Sequence, residues 1–124
     1  MQVIIFLAMI CCNLIADYNL QGILAQMKQR SWWKENYPDE LYAKDWICAL
    51  IEHSFMWSFI THLPLIWYYW GNNDKLEVIF VLIIVQMVIH AIIDHLKANK
   101  KVISLYDDQS MHLLQIFVSW RWLL

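Results

Sequence analysis

Several groups of residues in this 124-residue chain have the types and spacing of a chemical site rather than of a packed core. Asn13, Asp17 and Gln21 follow one another at four-residue intervals. His90 and Asp94 are four apart, as are Asp108 and His112, and His53 stands beside Glu52. Residues i and i+4 share one face of a helix, so each pair presents two polar side chains together. A His and a carboxylate presented in this way suit a divalent ion such as zinc, which takes imidazole nitrogen and carboxylate oxygen. Carboxylates and His projecting inward from several helices are an established way for a bundle core to hold metal. The expected ligands are His53, His90, Asp94, Asp108 and His112. Asp17 or Asp94 is then available as a general base, and Gln21 or Gln109 as a group that orients substrate.

Other chemistries find no support. Ser54, Ser58, Ser110 and Ser119 lack the glycine-flanked elbow of a serine nucleophile. With only Gly22 and Gly71 present, neither a phosphate-binding glycine loop nor a dinucleotide fingerprint can be built. Cys11, Cys12 and Cys48 make no Cys-x-x-Cys pair and read as packing residues. The net charge of -2 and the absence of a basic stripe argue against nucleic acid.

The elements that must position these residues are strongly apolar. The chain is 60% hydrophobic and 16% charged, with a mean hydropathy of +0.41, well away from the balance of a soluble domain. Apolar runs at about 2–26, 46–70, 77–98 and 110–124 predict an all-α polytopic membrane bundle of four helices in a single domain, 1–124. The first three are long enough for a hydrocarbon core of about 30 Å; the fourth reaches only about 22 Å. The first run has no basic residues before it and no small-x-small cleavage site after it, so it reads as a retained helix. Residues 27–45, with Trp32, Trp33, Tyr37 and Tyr42, read as an interfacial segment broken at Pro38. The tract from Gly71 to Lys75 reads as a tight turn.

Basic residues set the expected orientation. Lys28, Arg30, Lys34, Lys44, Lys97, Lys100 and Lys101 fall on one side of an even number of crossings, Lys75 and Arg121 on the other. The long first loop is therefore expected in the cytoplasm and both termini outside, in a multi-pass protein of a bacterial inner membrane. Trp67, Trp70, Trp120 and Trp122 would form the outer aromatic belt. With helices alternating in direction, Asp17, Gln21, His53, His90, Asp94, Asp108, Gln109 and His112 all map to the cytoplasmic end. Ionisable groups inside a membrane cost a few kcal/mol each, so such a layer calls for pairing or function. His62, near Pro64, reads as a packing residue, and His95 as an interfacial one. Lys97, Lys100 and Lys101 read as a snorkelling collar suited to an anionic substrate or anionic lipid head groups.

The same residues resemble a small bacterial and phage membrane family catalogued as domain of unknown function 3307. The matching stretches are Asn13-x-x-x-Asp17-x-x-Leu20-Gln21, His53, His90-x-x-x-Asp94-x-x-Lys97 and Asp108-Gln109-x-x-His112. They cover nearly the whole chain and depart from the family pattern at Asn13, where a His is usual. The resemblance implies a multi-helix membrane domain with no assigned activity, similar in motif style to membrane-bound metal-dependent hydrolases. Asn is a poorer ligand than His for a transition metal, so any ligand role at position 13 is weakened.

The residues thus point to a metal-dependent hydrolase acting on a membrane-proximal ester, amide or phosphoester. The alternative is a non-catalytic interaction or structural subunit, with a phage connection implied by the resemblance alone and with a homo-oligomer or a membrane partner compatible with four helices in so short a chain. An ion or proton conduit is disfavoured, because the outer halves of the runs offer mainly Thr61, His62 and Gln86.

Overall fold

The structure, a computed structural model, describes residues 1–124 and is all-helical. The first apolar run begins as α1 (Gln2–Leu14) and loosens into a π-helical turn, Ile15–Asn19. There the Leu20 N–H reaches the Ile15 carbonyl, five residues back, at 2.9 Å. Such turns are rare and recur at functional sites. The Gln21 side-chain amide donates to the Asp17 carbonyl. Gly22 then turns the chain at φ +51, which a side chain rarely adopts, into the short helix α2 (Leu24–Met27). The helix expected over 2–26 is accordingly interrupted where its polar residues begin.

Residues 27–45 form α3 (Arg30–Asn36) and a 3-10 turn at Glu40–Tyr42. The Trp33 indole donates to the Met27 carbonyl at 2.6 Å, and Tyr37 and Tyr42 pack beside it, so the segment is folded against the helices.

Three long helices follow: α4 (Asp45–Tyr68), α5 (Asn73–Ala98) and α6 (Leu105–Leu123). The last two start four or five residues before the apolar runs at 77 and 110, because polar first turns held by caps are helical too. Asn72 accepts the Lys75 N–H at 3.1 Å. Ser104 accepts the Asp107 N–H at 3.2 Å while Asp107 accepts the Ser104 N–H and hydroxyl, a reciprocal capping box. With 19 residues, α6 is about 28 Å long, longer than the apolar run alone implies.

The Ser104 backbone N–H, then its hydroxyl, hold the exposed Asp107 carboxyl below the usual carboxylate value. A depressed folded-state pKa contributes stability above the unfolded value of about 4, lost as pH falls through the folded one. Loss of the Ser104 cap on the Asp107 N–H in Ser104→Ala is expected to weaken the α6 N-terminus by about 1 kcal/mol. It should also flatten the acid limb of a stability-versus-pH curve below about pH 4; an unchanged curve would show that the cap contributes nothing.

The long helices close a ring of contacts, α1 on α4, α4 on α5, α5 on α6 and α6 back on α1. Both termini share one end with the Gly71 turn: the Trp120 indole donates to the Gln2 carbonyl at 2.9 Å, and the Tyr69 hydroxyl to the Leu123 carbonyl at 2.6 Å. At the opposite end Asn99 ties the first loop to α5, accepting from the Arg30 N–H at 2.7 Å and donating to the Lys28 carbonyl at 3.0 Å. Apolar packing around Met9, Leu65, Ile79 and Ile116 forms the hydrophobic core. Yet 15 of the 29 buried residues are polar or charged, while Leu7, Phe59, Phe80, Val81, Leu114 and Phe117 are exposed. These side chains stand on the first helix and on each of the three long ones, and soluble monomers rarely expose large apolar patches. Gln2–Asn19 and Asn73–Ala98 are each long and apolar enough to cross a membrane.

Candidate metal centre

The π-helical turn contributes Asp17; α4 contributes His53; α5 contributes His90, Asp94 and Lys97; α6 contributes Asp108, Gln109 and His112. The three His and three Asp are all buried, with His90, Asp108 and His112 at 0% exposure. Asp94 lies in the middle. Its Oδ1 is 3.4 Å from His112 Nε2, and its Oδ2 is 3.2 Å from His53 Nε2 and 3.6 Å from His90 Nε2. His112 Nε2 is also 3.3 Å from Asp108 Oδ1, and His53 Nε2 is 3.3 Å from His90 Nε2.

Hydrogen bonding fixes which atoms face inward. Gln115 Nε2 donates to the Gln86 carbonyl at 3.1 Å and to Gln86 Oε1 at 2.8 Å, so the Gln115 oxygen must be the end that meets His112 Nδ1, at 3.1 Å. Since that oxygen only accepts, His112 Nδ1 carries the proton, and a neutral His112 directs the Nε2 lone pair at the carboxylates. His112 Nε2, Asp94 Oδ1 and Asp108 Oδ1 have no hydrogen-bond partner although all three are buried. Buried polar atoms are rarely left unpaired, and here three lie together. A ligating His typically donates its second ring N–H to a protein oxygen, which is the role of Gln115.

The spacing tests whether an ion suits the gap. Bonds of about 2.0–2.1 Å in tetrahedral geometry separate ligand atoms by about 3.3–3.4 Å. The two His112 separations in the unpartnered group are 3.4 and 3.3 Å. Asp94, Asp108 and His112 each offer a ligand atom within 4.8 Å of the other two. The residues present therefore fit a divalent ion with oxygen and nitrogen ligands. A second triangle, His53, His90 and Asp94 Oδ2, has edges of 3.3, 3.2 and 3.6 Å. There the Lys28 ammonium already sits 2.7 Å from Asp94 Oδ2.

Charge decides how many cations belong. Three carboxylates (Asp17, Asp94, Asp108) face two ammonium groups, Lys28 on Asp94 and Lys97 on Asp108 at 2.8 Å. With neutral imidazoles that leaves one negative charge, which a single divalent ion turns into one positive charge. Two divalent ions would bury three positive charges, at a desolvation cost of several kcal/mol per ion. Charge therefore admits one ion and disfavours two, with Lys28 as the resident cation of the second triangle.

Gln109 donates to Asp17 Oδ2 at 2.5 Å, and Gln21 accepts from Lys28 Nζ at 3.1 Å while donating to the Asp17 carbonyl. Both glutamines thus hold Asp17 and Lys28 in position. His90 is stacked between the Trp57 and His112 rings, each centroid 4.1 Å away, and Trp57 donates to Asn13 at 2.8 Å. Glu52 is exposed beside Cys48 and takes no part. His62 bridges the Ser58 carbonyl at 2.6 Å and the Ser119 hydroxyl at 3.1 Å, as a packing residue does, and His95 stacks on Trp46.

The sequence reads Lys97 as part of the surface collar and Lys28 as a cation of the first loop, yet both enter the centre. The available signal was that Lys97 follows Asp94 by three residues, on the same helical face; Lys28 lies beyond the turn at Gly22, where helical spacing carries no signal. Gln86, read from the sequence only as a polar residue of the outer half, and Gln115, not singled out, stand four before His90 and three after His112. Comparison with protein-family models, with curated proteins and with solved structures finds no match.

Proposed function

We propose that this chain is a multi-pass membrane protein that holds one divalent metal ion, of zinc type, among Asp94, Asp108 and His112. The observation that carries the ion is the trio of buried, unpartnered ligand atoms, His112 Nε2, Asp94 Oδ1 and Asp108 Oδ1. The observation that supports the bilayer is the inversion of polarity, a polar interior inside an apolar exterior. In this reading the four long helices cross the membrane and the termini lie outside. Arg30, Lys34, Lys44, Lys100 and Lys101 remain as the cytoplasmic positive charge after Lys28 and Lys97 are taken inward. The residues shared with the family of domain of unknown function 3307 are those that meet here, and membership of that family belongs to the same proposal.

The activity we propose is hydrolysis of a membrane-proximal ester, amide or phosphoester. A divalent ion in this position supplies Lewis-acid polarisation. Asp17 is the carboxylate left over for proton transfer, with Oδ1 3.4 Å from His53 Nε2 and Oδ2 held by Gln109. Asp94 carries charge and geometry for both triangles. A non-catalytic role, with the ion locking helices together for a partner, is favoured by one observation: the ligand residues are almost wholly buried.

Elemental analysis of detergent-purified protein is expected to find close to one divalent ion per chain, lost in a His90→Ala, His112→Ala double variant that still purifies as a folded species. Absence of metal from the parent after reconstitution with zinc, manganese or iron would refute the centre. Asp17→Asn separates the two roles: loss of ester or phosphoester cleavage with metal retained supports catalysis, whereas no cleavage by the metal-loaded parent supports the locking role.

A further inference from the structure

A second set of charged residues lies at the end of the molecule where Asn99 joins the first loop to α5, and the metal centre does not use it. Arg30, Lys34, Lys100 and Lys101, with His95 and Asn99, line one open pocket of 530 Å³. No carboxylate lines it. Lys28 and Lys97 are consumed by ion pairs with Asp94 and Asp108, whereas none of the four pocket cations has an ion-pair partner. In a chain of net charge -2, four like charges on one concavity repel one another unless an anion lies between them.

The pocket is built rather than incidental. Asn99 spends both ends of its side chain clamping residues 28 and 30 to the end of α5. Trp46 stacks on His95, whose Nδ1 is buried without a hydrogen-bond partner. Lys101 holds φ +55, the chain's one non-glycine residue in the left-handed region. Glycine is the usual residue in such a turn after a helix, and a lysine there is disfavoured by its own backbone. That disfavour is accounted for if the ammonium has a purpose in the pocket.

We propose that this pocket binds the phosphate group of a phosphomonoester, whether carried on a lipid at the membrane surface or free in solution. A phosphomonoester brings up to two negative charges and three strong acceptor oxygens, which match an Arg and several Lys better than a single carboxylate does. The assignment does not rest on the metal, since none of these residues is a ligand of the centre.

The test is equilibrium binding to the full-length, detergent-purified chain in chelator, with dioctanoyl phosphatidic acid, dioctanoyl phosphatidylcholine and inorganic phosphate as probes. Saturable binding of phosphatidic acid is expected, at least tenfold tighter than phosphatidylcholine and weakened at least tenfold in Lys100→Gln, Lys101→Gln. Competition by inorganic phosphate at the same site would identify the bare anion as sufficient; binding of the lipid alone would identify a head group. Lys101→Gly removes the ammonium while relieving the backbone, so it is expected to keep or raise the thermal midpoint and still weaken binding. No saturable binding of either phosphate probe, or binding unchanged in both variants, overturns the proposal.

Discussion

Asp94→Leu is expected to abolish metal retention and to lower the stability of the detergent-solubilised protein by about 3–5 kcal/mol, the cost of leaving a buried charge without its partner. Asp94 faces all three His and holds the Lys28 ammonium at 2.7 Å, so leucine removes a corner from both triangles and strands a lysine that is 5% exposed. Asp94→Asn keeps the volume and one oxygen for Lys28. It should therefore recover part of the stability while still holding metal poorly, because a neutral amide is a weaker ligand. Chemical unfolding and elemental analysis on the three proteins check both statements. Asp94→Leu at parental stability and metal content would show that the cluster is neither an ion site nor a stabilising network.

Lys28→Met has a different signature, because its cost depends on the metal. Without an ion, methionine leaves the centre with one positive side chain, Lys97, against three carboxylates, and Asp94 Oδ2 loses its ammonium. A loss of about 3–5 kcal/mol is expected in chelator. With saturating zinc the added positive charge offsets part of that loss, and ligand binding to the folded state adds stability in proportion to RT ln(1 + [L]/Kd). The zinc-induced rise in thermal midpoint should thus be larger in Lys28→Met than in the parent. Equal rises in the two proteins would mean that Lys28 and the metal do not share a field.

Much of the candidate site was legible before the fold was known, for reasons of periodicity. His90 with Asp94 and Asp108 with His112 are neighbours on any helix that contains them, whatever it packs against. Alternating helix direction then carries Asp17, His53, Asp94 and Asp108 to one end. The first run was harder to read. Four-residue spacing of Asn13, Asp17 and Gln21 predicts one stacked face, but the π-helical turn at Ile15–Asn19 takes an extra residue and ends the helix before the turn at Gly22. Hydropathy does not register such a turn, because Ile15 and Ala16 are as apolar as their neighbours. Two helices start earlier than their apolar runs for a related reason. Polar first turns such as Asn73 to Leu76 and Leu105 to Asp108 are helical through their caps, and an apolar window excludes them.

By itself the sequence determined which residues are presented together locally, that the chain is helical, and that its polar groups are too few and too aligned to be a solvated surface. Only the tertiary structure decided which charges pair. Lys28 reads as a loop cation, yet the turn at Gly22 carries it back to Asp94; Gln115 reads as one more polar residue, yet its bonds to Gln86 determine which His112 nitrogen faces the carboxylates. Pairing of that kind depends on contacts between residues 66 and 29 positions apart, set by how helices cross and where a turn reverses the chain, and helical periodicity extends only along the helix that carries it.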